Sequence, residues 1–108
     1  MKRRVFFLTT LKEGADQAEY ERFLRDVDYP RSKELLPVSG YLATRIEGRA
    51  VSEGDSPYQY IEVLDIDDFE AYLAAFRDPS PEVADLIGQV FSYVDQKTAV
   101  DLYGEVIE

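Results

Sequence analysis

Apolar and polar positions alternate most regularly over residues 58–66, directly after Pro57. The run is rich in β-branched and aromatic residues, which predicts a strand with two unlike faces. One face carries Gln59, Ile61, Val63 and Asp65, with an apolar middle suited to lie under helices. The other carries Tyr58, Tyr60, Glu62, Leu64 and Ile66. It is aromatic yet holds one carboxylate, and it is where function is expected.

Residues 4–11 predict a first strand, apolar on both sides (Val5 and Phe7, Phe6 and Leu8), as a central strand of a sheet would be. Asp16 with Glu19 resembles a capping box, and Tyr20, Phe23, Leu24 and Val27 form the stripe of a first helix. Pro30 is expected to break or kink that helix near Asp28 and Tyr29, with one more turn over 31–36. Residues 40–49 alternate as a second strand, with Tyr41, Ala43, Arg45 and Glu47 opposite in direction to Leu42, Thr44 and Ile46. The turn signal Glu53-Gly54-Asp55 joins it to strand three as a hairpin. A symmetric loop would place Ile46 opposite Ile61, Thr44 opposite Val63 and Arg45 opposite Glu62. Asp67 is the expected cap of the next helix, whose stripe is Phe69, Tyr72, Leu73 and Phe76. Asp78-Pro79 stops it. Ser80-Pro81 restarts a helix with the stripe Val83, Leu86, Ile87, Val90, Phe91 and Val94. Residues 97–107 form the last strand.

This order, strand, helix, strand, strand, helix in two pieces, strand, is that of a ferredoxin-like α+β fold. It is an antiparallel βαββαβ sheet with helices on one face, in a single domain spanning 1–108. Ile61, Val63, Leu42, Ile46, Val100 and Leu102 are expected beneath the helices. The opposite face then gathers Tyr41, Tyr58, Tyr60, Leu64, Ile66 and Tyr103 with Arg45, Glu62, Asp101 and Glu105. So many exposed aromatics would form a large sticky patch, so this face is expected to pair with its twin in a homodimer and enclose a partly wet cavity.

Composition narrows the chemistry. The chain has 108 residues, 12 basic against 22 acidic, for a net charge of −10, which disfavours nucleic acid and anionic membrane surfaces as partners. It has no cysteine and no histidine, so thiol and imidazole chemistry and Cys- or His-ligated metals are excluded. Asp, Glu, Lys and Tyr remain for proton transfer. Lys2-Arg3-Arg4 before a short apolar run does not make a signal peptide, no apolar run reaches a membrane span, and a cytoplasmic location is expected.

Four groups of side chains are candidates. Arg45 and Glu62 form a possible cross-strand pair that orients a polar ligand group, or else an ordinary ion pair. Asp101, beside Tyr103 in an aromatic pocket, would have its pKa raised toward that of a neutral-pH acid or base, or would serve as a hydrogen-bonding group across a dimer. Tyr41, Tyr58 and Tyr60 suit stacking on a flat aromatic ligand, or packing at the dimer interface. Asp28, Tyr29, Arg31 and Ser32 lie where a helix end would rim a pocket, or would be a capped, solvated terminus. Asp65, Asp67 and Asp68 do not read as a metal site, because the glycine and distal Glu of a calcium loop are missing.

The segments Phe23-Leu24-Arg25-Asp26-Val27-Asp28-Tyr29-Pro30-Arg31-Ser32, Leu36-Pro37, Gly40-Tyr41 and Tyr58-Gln59-Tyr60-Ile61-Glu62-Val63 resemble the dimeric α+β-barrel superfamily. Within it they are most similar to the RedY/HapK-like group associated with prodiginine biosynthesis. Many superfamily members carry a His after helix one or in the barrel. This chain has Asp28 in that region, and the resemblance makes Asp28 the substitute. The resemblance implies a small cofactor-free protein of secondary metabolism that binds a pyrrole or polyketide-like aromatic and promotes condensation or cyclisation by acid–base catalysis. A cofactor-independent monooxygenase and a non-catalytic carrier of a reactive intermediate are the alternatives in the same fold.

Overall fold

The computed structural model describes residues 2–108. Its strands are β1 (Arg3–Thr9), β2 (Val38–Arg45), β3 (Tyr60–Ile66) and β4 (Val100–Glu105), in the spatial order β2-β3-β1-β4 and antiparallel throughout. The helices are α1 (Gln17–Phe23), α2 (Tyr29–Leu35), α3 (Phe69–Arg77) and α4 (Pro81–Tyr93). This is the ferredoxin-like arrangement, with β1 paired on both edges as its two-sided apolar pattern requires. No helix among the described residues is long and apolar enough to cross a membrane.

The helix starts follow their side chains. Asp16 Oδ1 accepts from the Glu19 amide at 2.9 Å and Ser80 Oγ from Val83 at 3.2 Å. The cap of α3 is Asp68, one residue later than expected, accepting from Ala71 at 3.0 Å. Pro30 does not break the first helix. Instead Leu24–Asp28 widens into a π-helical turn, with the Tyr29 amide bonded to the Leu24 carbonyl five residues back, and α2 continues from it. The wider turn relieves the contact between the proline ring and the preceding turn that would otherwise kink the helix.

Two expectations about the sheet are corrected. The hairpin register is shifted by two residues: Arg45 faces Tyr60, Ala43 faces Glu62, Thr44 faces Ile61 and Leu42 faces Val63. Gln59 explains the shift. Its amide donates to the Thr9 carbonyl at 2.9 Å and its side-chain oxygen accepts from Leu11 at 2.6 Å. The start of β3 is thereby set by β1, and the loop does not close symmetrically.

The larger correction concerns the faces. Tyr60, Glu62, Leu64 and Ile66 are buried under the helices, together with Tyr41 and Val5. Ile61 and Val63 point the other way, where no helix among the described residues covers them. Rows Leu42–Val63–Phe6–Leu102 and Thr44–Ile61–Leu8–Val100 cross that outer face, with Leu42 70% and Leu102 54% exposed. The physical reason is polar satisfaction. Tyr60 and Glu62 bury their polar tips because α1 supplies Glu21 and Tyr20 as partners.

Candidate functional site

The helix-covered face holds a partly open cavity of about 110 Å³ inside a single subunit. A single water needs only about 10–15 Å³, so the space is larger than a packing defect. Phe7, Thr9, Tyr41, Glu62 and Leu64 form its floor on the sheet. Tyr72 and Phe76 of α3 and Leu86, Ile87, Val90 and Phe91 of α4 form the roof, and Asp28 and Ser32 close one end. The wall is overwhelmingly apolar. No Lys or Arg lines it, so a phosphate-bearing group would find no counter-charge there.

Two carboxylates face this space, each 3% exposed. Glu62 reaches the helix side of the sheet through the two-residue period of β3. Tyr20, on the buried stripe of α1, donates its hydroxyl to Glu62 Oε1. Burial pushes the Glu62 carboxyl up to about 7; the Tyr20 hydrogen bond opposes this, and the nearby Asp28 charge adds to it. Burial and the Glu62 charge also raise the Tyr20 hydroxyl far above its usual range, so it stays a donor. Asp28 is the last residue of the π-helical turn. Its Oδ2 accepts from the Tyr41 hydroxyl at 2.6 Å and its Oδ1 from Ser32 at 3.0 Å. Burial raises the Asp28 carboxyl as well, while these two hydrogen bonds pull it back toward ionisation. Neither carboxylate is ion-paired: the salt bridges among the described residues are Arg4–Asp65 and Arg45–Glu21.

Of the side chains singled out in the sequence, Asp28, Glu62, Tyr41 and Ser32 meet at this cavity. Arg45 and Glu62 do not pair. Arg45 instead holds Glu21 of α1 in a two-pronged ion pair at 2.7 Å, which keeps the Glu21 carboxyl down at about 2. The Tyr60 hydroxyl donates to the same Glu21 at 2.7 Å. Tyr29 meets Tyr41 edge to face, with ring centres 4.8 Å apart, and accepts from the Ala43 amide at 2.8 Å. Arg45, Tyr60 and Tyr29 line a separate, polar recess with Glu21 and Arg25. Asp101 is exposed, and Tyr103 is an exposed ring on Phe69 at 4.6 Å. Tyr58 and Arg31 are half-buried outside the cavity lining. No cluster of three potential metal ligands occurs among the described residues, and Asp65 is held by Arg4 at 2.8 Å.

Thr9 and Tyr72 line the cavity and Tyr20 bonds Glu62, and none of the three is a candidate on the sequence alone. The available signal was a tyrosine on an otherwise apolar helical stripe, because its hydroxyl must find a partner once the ring is buried. Thr9 gave no comparable signal.

The family model described as REDY-like protein HapK matches residues 3–107. The crystal structure of HapK from Hahella chejuensis is 24% identical with a TM-score of 0.69, covering 97% of this chain and 92% of that one. SnoaB, a cofactor-independent oxygenase from Streptomyces nogalater, is 11% identical with a TM-score of 0.71, covering 99% and 94%. A dimeric ferredoxin-like protein from Thermobifida fusca is 15% identical with a TM-score of 0.65, covering 98% and 92%. No curated protein matches the chain.

Proposed function

The chain belongs to the REDY-like HapK family, and on that premise we propose that it is a cofactor-free acid–base catalyst of secondary metabolism acting on a small aromatic, pyrrole-like molecule. The single observation that carries this reading is the pair of buried carboxylates facing one apolar cavity with no cation beside them. Placing two such groups in an apolar wall costs stability, and that cost is characteristic of sites that move protons. Glu62, with one hydrogen bond and a carboxyl near pH 7, is the proton carrier. Asp28, with two donors supporting its ionised form, is the partner base.

In a condensation, protonated Glu62 gives its proton to an aldehyde or ketone oxygen as a pyrrole carbon attacks the carbonyl carbon. Asp28 takes the proton from that pyrrole carbon and passes it to the new hydroxyl, which leaves as water, while Glu62 regains its proton from a pyrrole N–H. Phe7, Leu86, Val90 and Phe91 exclude bulk water and hold the flat rings.

The test uses pyrrole-2-carbaldehyde with 2-methylpyrrole, followed by the absorbance of the dipyrrin formed with loss of water. Acceleration over buffer that falls about 10²-fold or more in Glu62→Gln and Asp28→Asn supports the reading, in line with the usual contribution of a general acid or base. Oxygen uptake without an aldehyde would select the monooxygenase reading; SnoaB is a cofactor-independent oxygenase. Binding without product would select a carrier.

We also propose that the protein is a homodimer, paired through the outer sheet face and not, as the sequence suggested, through the tyrosine-bearing one. Two apolar rows lie there with no helix over them, and Leu42 and Leu102 are largely exposed.

A further inference from the structure

Two residues that line the cavity carry hydroxyls with no partner in the fold. Thr9 Oγ1 and Tyr72 OH are the buried side-chain polar atoms left without a hydrogen bond among the described residues, and both residues line this same hollow. Their residues are 3% and 4% exposed. Every other polar side chain of the lining is satisfied: Asp28 by Tyr41 and Ser32, Glu62 by Tyr20. A buried hydroxyl without a partner destabilises the fold, whereas a valine at 9 or a phenylalanine at 72 would fill the same shape without that cost. Thr9 sits on the sheet floor and Tyr72 on the helical roof, so the two unpartnered groups belong to residues on opposite sides of the hollow.

We propose that Thr9 and Tyr72 are ligand-anchoring residues that hold an oxygen of the bound molecule. The ligand class is then a small, uncharged, largely apolar compound carrying a carbonyl or hydroxyl oxygen. The carboxylates Asp28 and Glu62 in the same wall turn away anionic counterparts. This inference rests on the cavity being a ligand site, as proposed above.

The test compares acetophenone with α-methylstyrene, which has the same outline but a methylene in place of the oxygen, and with benzoate. Binding is measured by amide chemical shifts of the intact protein. Acetophenone is expected to bind about tenfold more tightly than α-methylstyrene, with benzoate weaker than acetophenone, because the site's buried hydroxyls stay unpaired with the hydrocarbon. In Thr9→Val with Tyr72→Phe the preference should fall below about twofold, while the ligand-free Tm rises by about 4 °C or more as the unmet groups are removed. Equal affinity for ketone and hydrocarbon in the parent protein overturns the anchor and leaves the cavity reading standing. No binding of any of the three compounds overturns both. A lower Tm in either single variant also overturns the anchor, because it shows the hydroxyls already satisfied within the folded protein.

Discussion

Glu62→Gln tests the buried carboxylate through stability, with no substrate needed. In the unfolded chain Glu62 ionises near its ordinary 4.5; in the folded chain the midpoint lies at about 7, chiefly through burial. Between those values the folded protein holds a proton that the unfolded chain has released. Folding is therefore favoured at the acid end, and this contribution is lost as pH rises through 7. A move from 4.5 to about 7, at about 1.4 kcal/mol per pH unit, is of order 3 kcal/mol. Asp28 is shifted in the same direction, so it steepens the loss. Glu21 is shifted the opposite way, and its contribution fades only below the ordinary Glu range. Urea denaturation followed by circular dichroism at pH 5, 6, 7 and 8, at one protein concentration, should show the parent losing about 3 kcal/mol across the series. Glu62→Gln keeps an acceptor for the Tyr20 hydroxyl but cannot titrate. It should be much flatter with pH and more stable than the parent at pH 8. A parent stability that is flat or rises from pH 5 to 8 would refute the reasoning. So would a variant that keeps the parent's full slope, since the titrating group would then lie elsewhere.

Two further outcomes separate the surfaces of the molecule. Leu42→Asp puts a charge into the exposed apolar row of the outer sheet face and should convert a dimer to a monomer in sedimentation velocity, with the circular dichroism spectrum unchanged. Arg45→Ala should leave dipyrrin formation at the parent rate, because Arg45 contacts Glu21 outside the cavity. Its measurable effect should be a rise of the Glu21 carboxyl from about 2 toward the ordinary range, followed by carboxyl NMR titration.

Much of the molecule was legible in the chain because its cues are local. The capping residues Asp16 and Ser80 mark helix starts, and each acts as expected. The stripes of Tyr20, Phe23 and Leu24 and of Val83 and Leu86 give helical faces, and all five residues are buried. The two-residue alternation of 58–66 correctly groups Tyr60, Glu62 and Leu64 on one side of the strand. From such cues the order of elements, and with it the ferredoxin-like fold, follows directly. Glu62 and Tyr41, on an aromatic strand face, and Asp28, at an expected helix end, were candidates in the chain, and the fold brings all three to one cavity.

What the chain alone left open is what depends on distant partners. Alternation sorts side chains into two sets but is indifferent to which set turns toward the helices, and both faces of β3 carry enough apolar area to be covered. Tertiary packing decided it, because Tyr20 and Glu21 of α1 can satisfy the buried Glu62 and Tyr60. The partner of Arg45 was open for the same reason: Gln59, bound to the end of β1, moves the hairpin by two residues and leaves Glu21 within reach. The π-helical turn that carries Asp28, and the unmet hydroxyls of Thr9 and Tyr72, exist only once sheet and helices are packed together. Local pattern therefore determined the elements and their order, while long-range hydrogen bonding between helices and the sheet decided where the buried carboxylates sit.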